Sequence, residues 1–224
     1  MDGNVFETAG EKAYRIIQGK ILSGEFKPGF RISLRKMAEQ TGTSVIPVLE
    51  AVKRLQGEML IQSKPQWGYY VTVPSFEKIW QTYQIREALE CFSARYLAIH
   101  PFAGSQKEKL YDLATQLDTI PYTEETKVQI QEKHIQFHLE LTRATGNELM
   151  LEELRKMNLF WILSKSIATN APRAKYPRYW HRMLMDEIGK GDPDNAERKM
   201  RTHVEDSFIL IKEQHEQEIG RAHV

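Results

Sequence analysis

Behind Pro74 the apolar side chains recur at helical spacing, and nowhere do they alternate as a half-buried strand would. That pattern commits most of the 224-residue chain to helix-on-helix packing. Breaks at His100-Pro101, Ile120-Pro121, Gly146-Asn147, Pro172 and Gly191-Asp192-Pro193 divide it. The predicted helices lie near 76–99, 104–117, 123–145, 148–169, 176–190 and 193–217. Gly220 to Val224 do not continue the periodicity and are expected to fray. There is no internal repeat of 20–50 residues and no low-complexity tract.

Ahead of Pro74 the pattern is different. Glu11 to Ser23 places Ala13, Ile16, Ile17, Ile21 and Leu22 on one helical face, with Gly24 as the stop. Ser33 is positioned to cap a short helix over Leu34–Gln40, which ends at Thr41-Gly42. Ser44 is positioned to cap a third over Val45–Gln56, with Pro47 in its first turn, where a missing N–H costs little. Two β-like runs follow, Met59–Ser63 and Tyr69–Val73, joined by a turn containing Pro65 and Gly68. The fold class is therefore mostly α. A winged helix-turn-helix domain over 1–74 is expected to precede an all-α helical bundle over 75–224.

Composition narrows the setting. At 41% hydrophobic and 27% charged, the chain falls in the range of soluble globular proteins. No apolar run approaches the length a membrane helix needs, and Met1 to Gly10 has two acids and no apolar stretch. Neither a spanning segment nor a secretory signal is expected. Cys91 is the lone cysteine, which excludes a disulfide framework or a Cys-based zinc finger and makes a reducing, cytoplasmic location the expectation. The net charge of +1 is unevenly placed. Residues 1–75 carry ten Lys/Arg against seven Asp/Glu, and the rest carry 21 against 23. The basic surplus sits where a nucleic-acid reader would hold it.

Helix, turn, helix and two-stranded wing is a shape whose third helix fits a DNA major groove while the wing reaches a neighbouring groove or the phosphates. Five segments carry a family resemblance: Gly29-Phe30-Arg31-Ile32-Ser33, Leu34-Arg35-Lys36-Met37-Ala38, Gly42-Thr43-Ser44, Pro47-Val48 and Glu50-Ala51-Val52. With Gly68-Tyr69-Tyr70-Val71, they resemble the winged helix-turn-helix of the GntR family of bacterial regulators over residues 10–73. The resemblance implies a double-stranded DNA operator as partner, with Arg35, Lys36, Ser44, Val45, Leu49, Lys53 and Gly68 at the interface. The family usually has arginine directly after the serine that opens the recognition helix and again four residues later. Here those positions are Val45 and Leu49. Arginine reads guanine edges bidentately, so its loss redirects or weakens base reading. Arg35, Lys36, Ser44, Lys53, Arg54 and Lys64 remain, and they suit phosphate anchoring.

Seven histidines are present, and four form a pattern. His134 and His138 leave one helix on the face of Ile130, Phe137 and Leu141. His181 shares a face with Leu184, Met185 and Ile188, and His203 one with Ala196, Met200 and Leu210. Each buried imidazole needs partners for both nitrogens. A hydrogen-bonded core supplies them one way; a shared divalent cation supplies one partner to all four, and imidazole suits zinc, nickel, copper and iron.

Phe137-His138, Gly146-Asn147, His181, Ile188, Gly191-Asp192, Ala196, Met200 and His203 resemble the FCD domain, the helical effector domain of the FadR subfamily of GntR regulators. In that family the domain often binds a metal through one aspartate and three histidines. The aspartate position, four residues before the first histidine, is His134 here. A neutral donor in place of an anionic one shifts the expected ion towards zinc or nickel. The resemblance also implies a small carboxylate effector. Arg86 and Asn147 match an arginine and an asparagine of the family. Arg86 equally fits a surface pair with Glu90, worth a few tenths of a kcal/mol. Asn147 equally fits a helix-end turn.

Trp161, Tyr176, Tyr179 and Trp180 are candidate pocket aromatics or simple packing, and Met183, Met185 and Met200 read as core. His100, His215 and His223 read as surface, and Cys91 as an inert thiol. The expected protein is a ligand-responsive DNA-binding transcription regulator and a homodimer, not an enzyme. One alternative is a metal- and metabolite-binding protein with a degraded DNA reader. The other is a metal-dependent hydrolase, against which Ile135 stands where a zincin needs its glutamate base. There is no P-loop, Gly-x-Ser-x-Gly or nucleotide-binding glycine fingerprint.

Overall fold

The structure, a computed structural model, describes residues 7–100, 102–121, 123, 125–165 and 180–222. Tyr176, Tyr179 and His223 lie outside the described residues, as do the side chains of Trp161 and His215. The chain divides into two units; among the described residues the front one holds 7–79 and 159–165, and the rear one holds the rest.

The front unit opens on α1 (Ala9–Leu22), two residues earlier than its apolar face alone indicates. Thr8 and Glu11 close a capping box: the Glu11 N–H donates to Thr8 Oγ1 at 3.1 Å, and the Thr8 N–H donates to Glu11 Oε2 at 3.0 Å. A short strand β1 (Arg31–Ile32) follows, then α2 (Leu34–Thr41) and α3 (Val45–Gly57). Ser33 accepts from the Lys36 N–H, as its position predicts. Gly42 at φ 65° makes the left-handed turn from α2 into α3. Ser44 departs from expectation, for its side chain makes no cap hydrogen bond.

The wing is β2 (Ile61–Lys64) paired antiparallel with β3 (Gly68–Val71), in register from Ile61 against Val71 to Lys64 against Gly68. β1 adds to the other edge of β3, giving the order β1-β3-β2. A two-residue strand is too short to show an alternation in sequence, so the third strand was not expected. One core serves all six elements and is filled by Ile17, Ile21, Val48, Val52, Leu55 and Val71 among others.

The rear unit is helical wherever it is described. Its helices are α4 (Phe76–Ile99) from Trp80 onwards, α5 (Gly104–Thr119), α6 (Lys127–Ala144), α7 (Glu148–Lys165) as far as Asn158, α8 (Trp180–Lys190) and α9 (Pro193–Ala222). α9 runs past Gly220, where fraying was expected, because Glu218, Arg221 and Ala222 are good helix formers on either side. α5 packs on α6 and α8, and α8 packs on α9. The apolar faces of Leu110, Leu113 and Leu117, of Phe137 and Leu141, of Leu184 and Ile188, and of Met200 and Val204 are buried. Among the described residues, no helix is long and apolar enough to cross a membrane.

Candidate metal centre and nucleic-acid interface

The faces that carry the rear core also carry the histidines. His134 and His138 lie one turn apart on α6, His181 on the first turn of α8, and His203 on α9. His134, His138 and His203 are buried and His181 is nearly so. One ring nitrogen from each lies within 4.8 Å of the others. The Nε2 atoms of His138 and His203 stand 3.0 Å apart, those of His134 and His203 3.1 Å, and those of His134 and His138 3.3 Å.

Three nitrogens at those mutual distances cannot all be satisfied by protons. Each contact needs one N–H and one lone pair, and donors cannot alternate around a triangle. The outer nitrogens favour lone pairs inside. His138 Nδ1 lies 2.9 Å from Glu90 Oε2, and His181 Nδ1 lies 2.8 Å from Asp118 Oδ1. A carboxylate only accepts, so a neutral ring at either position is favoured with its proton on Nδ1, which leaves the Nε2 lone pair facing inwards. A shared cation meets all of these at once. Zinc bonds imidazole at about 2.0–2.1 Å, which sets tetrahedral N···N edges of about 3.3 Å, close to the spacings among His134, His138 and His203, with His181 within 4.8 Å of them. The four side chains fit a metal ion.

Two residues of this centre escaped the sequence reading in their actual roles. One of the two readings of Arg86 made Glu90 its surface partner; instead both side chains are buried, at 0% and 1% exposure. Arg86 donates from Nε and Nη2 to Glu90 Oε1, each at 2.9 Å. Burial pushes the Glu90 carboxyl up, but Arg86 and His138 outweigh it and hold it at about 2. The pair was underestimated because i,i+4 spacing says nothing of burial. Asp118, near the end of α5, was not singled out at all. It accepts the main-chain N–H groups of His181 at 3.3 Å and Arg182 at 3.0 Å while holding the His181 ring. It thus caps α8 and orients its ligand together. The available signal was an acid one turn past Ala114 and beside Leu117, both buried on α5.

Asn147 is exposed, and its Oδ1 accepts from the Met150 N–H at 3.1 Å at the start of α7. It lines a surface hollow with Phe92, Tyr96 and Leu149, and among the described residues no contact ties it to the histidines. Trp180, Met185 and Met200 are buried, whereas Met183 is exposed. His100 is exposed and packs on the Tyr96 ring. Burial pushes the Cys91 thiol up to about 12, which leaves it inert.

In the front unit, α3 buries Val48, Ala51, Val52 and Leu55 and turns Val45, Ile46 and Lys53 outwards, with Leu49 half-buried. Arg35 and Lys36 project from α2. Among the described residues, none pairs with Arg35, Lys36 or Lys53. Arg54 differs from the expected free anchor, because its guanidinium lies 3.8 Å from the centre of the Tyr14 ring and 3.5 Å from Glu58. The uncapped Ser44 leaves its hydroxyl and the first N–H groups of α3 available to a phosphate. At the wing tip, Lys64 lies 4.9 Å from the centre of the Tyr70 ring, and Trp67 is 67% exposed. Gly68 at φ 97° closes the turn in a conformation that a side chain would strain.

A winged helix-turn-helix with free cations around its recognition helix, followed by a helical unit with a buried histidine centre, defines a DNA-binding transcription regulator with an effector domain. Residues 9–71 match the bacterial regulatory proteins of the gntR family, and residues 81–206 match the FCD domain. The chain belongs to the GntR family, in the FadR-like branch that carries an FCD domain; these are regulators and not enzymes. It is 25% identical over 221 residues to the HTH-type transcriptional repressor RspR of Escherichia coli K12, covering 94% of this chain and 92% of that one. It is 22% identical over 192 residues to the Nta operon transcriptional regulator of Aminobacter aminovorans, covering 86% and 89%. Two solved structures share the fold. A GntR regulator from Rhodococcus sp. RHA1 superposes with TM-score 0.75 at 23% identity, covering 90% of this chain and 96% of that one. McbR/YncC of E. coli does so with TM-score 0.76 at 18% identity, covering 93% and 99%.

Proposed function

We propose that this regulator binds a near-palindromic DNA operator as a homodimer and senses a small organic acid at a divalent metal held by His134, His138, His181 and His203. In this reading residues 1–74 are the DNA-binding domain and 75–224 the effector domain, working in the cytoplasm. The observation that carries it is the convergence of four imidazoles, two of them oriented by buried carboxylates. An all-imidazole donor set favours zinc or nickel over magnesium or manganese. Bound there, the ion would supply Lewis acidity, and a carboxylate would reach it by expanding the coordination beyond the four imidazoles.

The remaining work belongs to the chain. Glu90 and Asp118 fix the rings of His138 and His181, and Arg86 keeps Glu90 ionised. Arg86 and Asn147 are the further candidates for effector contact. The pairing of Arg86 with Glu90 supports a positioning role, and the bond from Met150 to Asn147 supports a helix-end role.

On the DNA side, Arg35, Lys36 and Lys53 anchor phosphates, while Ser44, Val45 and Leu49 face the groove and Gly68 lets the wing tip approach a neighbouring one. Ile85, Phe92 and Ile99 stand exposed at seven-residue spacing along α4, which supports a helix-to-helix dimer seam. The effector alters DNA affinity by binding the DNA-competent and incompetent arrangements unequally.

The test is metal content. Full-length protein is loaded with zinc or nickel, dialysed, and analysed by elemental measurement. One ion per chain is expected; a protein that retains none overturns the sensing mechanism.

A further inference from the structure

The outer face of the recognition helix is apolar at the end that enters a groove. Val45 is 40% exposed and Ile46 is 70% exposed, with Leu49 one turn further on. The core of the front unit is already filled by the opposite side of α3, so Val45 and Ile46 add little to folding. Arg35 and Lys36 on α2 and Lys53, two turns further along α3, are exposed as well. The nearest acid of α3, Glu50, turns towards Gly10 at the start of α1. An exposed apolar spot on a helix-turn-helix that also exposes cations free of ion pairs matches a duplex, with the cations against phosphates and the spot against base edges.

The major groove offers one apolar feature per base-pair code, the C5-methyl of a pyrimidine, and in unmodified DNA thymine alone carries it. Guanine, cytosine and adenine would present donors and acceptors that Val45 and Ile46 leave unsatisfied. We infer that Val45 and Ile46, backed by Leu49, select operator positions by the thymine C5-methyl group. This rests on the operator-binding reading above and says what that operator contains.

The experiment first selects bound duplexes from a random library with the full-length protein. Each thymine of the selected sequence is then replaced in turn by deoxyuridine, which keeps the base pair and deletes only the methyl. Affinity is expected to fall about fourfold per contacted methyl, at one or two thymines in each half-site and not elsewhere. The double variant Val45→Ala/Ile46→Ala, which alters exposed side chains and should melt like the parent, is expected to bind thymine and uracil duplexes equally. A defined operator whose uracil forms all bind as tightly as the parent overturns the inference and leaves operator binding intact. So does a double variant that keeps the parent's sensitivity. If no sequence is enriched at all, operator binding itself fails and methyl reading with it.

Discussion

Glu90 Oε2 stands 2.9 Å from Nδ1 of His138, and neither side chain has any exposed surface. The contact joins two helices and two chemistries. On α4, Arg86 neutralises the carboxylate; on α6, the carboxylate faces Nδ1 of His138, whose other ring nitrogen is turned towards His134 and His203. The anionic form is secure, since the carboxyl is held at about 2 despite its burial.

Glu90→Gln keeps the shape but removes the charge with which the Arg86 guanidinium pairs. Breaking a buried pair on one side costs about 3–5 kcal/mol, and losing an outer carboxylate lowers metal affinity about 10- to 100-fold. Urea denaturation of the variant and a competition titration with a chelator should show both losses. Unchanged stability would mean that the pair does not form.

Asp118→Asn acts on His181 alone among the ligands. Its amide can present a donor to Nδ1, while asparagine caps a helix about as well as aspartate, so α8 itself should lose little. Metal affinity is expected to fall about tenfold or more, a loss that a capping role alone would not produce.

His138→Ala and His203→Ala should lower metal retention and melting temperature together, because metal binding adds to folding stability. Thermal melts with and without zinc give the readout. Melting points equal to those of the parent in both conditions would count against the centre.

How much of this was legible without coordinates varies by element. The rear helix breaks among the described residues were plain, because Pro, Gly-Asn and Gly-Asp-Pro interrupt strong periodicity; the one expected at Pro172 lies outside the described residues. The four histidines were legible because each shares a face with core residues. Their outer carboxylates were not, since Glu90 and Asp118 come from different helices and neither has a spacing signature. The early start of α1 was readable in Thr8-x-x-Glu11, a capping-box pattern. β1 was not, because two residues pair with β3 only through tertiary placement. The missing Ser44 cap likewise depends on a rotamer that sequence does not fix.

Phe92→Glu places a charge in the exposed seven-residue stripe of α4. A charge buried at the centre of a seam costs about 2 kcal/mol or more, roughly 30-fold in dimer dissociation. Light scattering across a dilution series should find the parent dimeric where the variant is monomeric, and identical behaviour would remove α4 from the interface.

Lys53→Ala removes one candidate phosphate anchor. Binding should weaken for all duplexes alike, and the slope of log affinity against log salt should fall by about 0.9. A loss confined to particular sequences would instead make Lys53 a base reader.

The most direct test of the whole account is selection from random duplex DNA by the full-length, zinc-loaded protein at two salt concentrations. The account predicts an enriched near-palindrome bound much more weakly at the higher salt, as a symmetric dimer anchored on phosphates requires. Weak binding at both salts with no enriched sequence would contradict it and leave a metal-binding effector domain joined to a helix-turn-helix that no longer reads DNA.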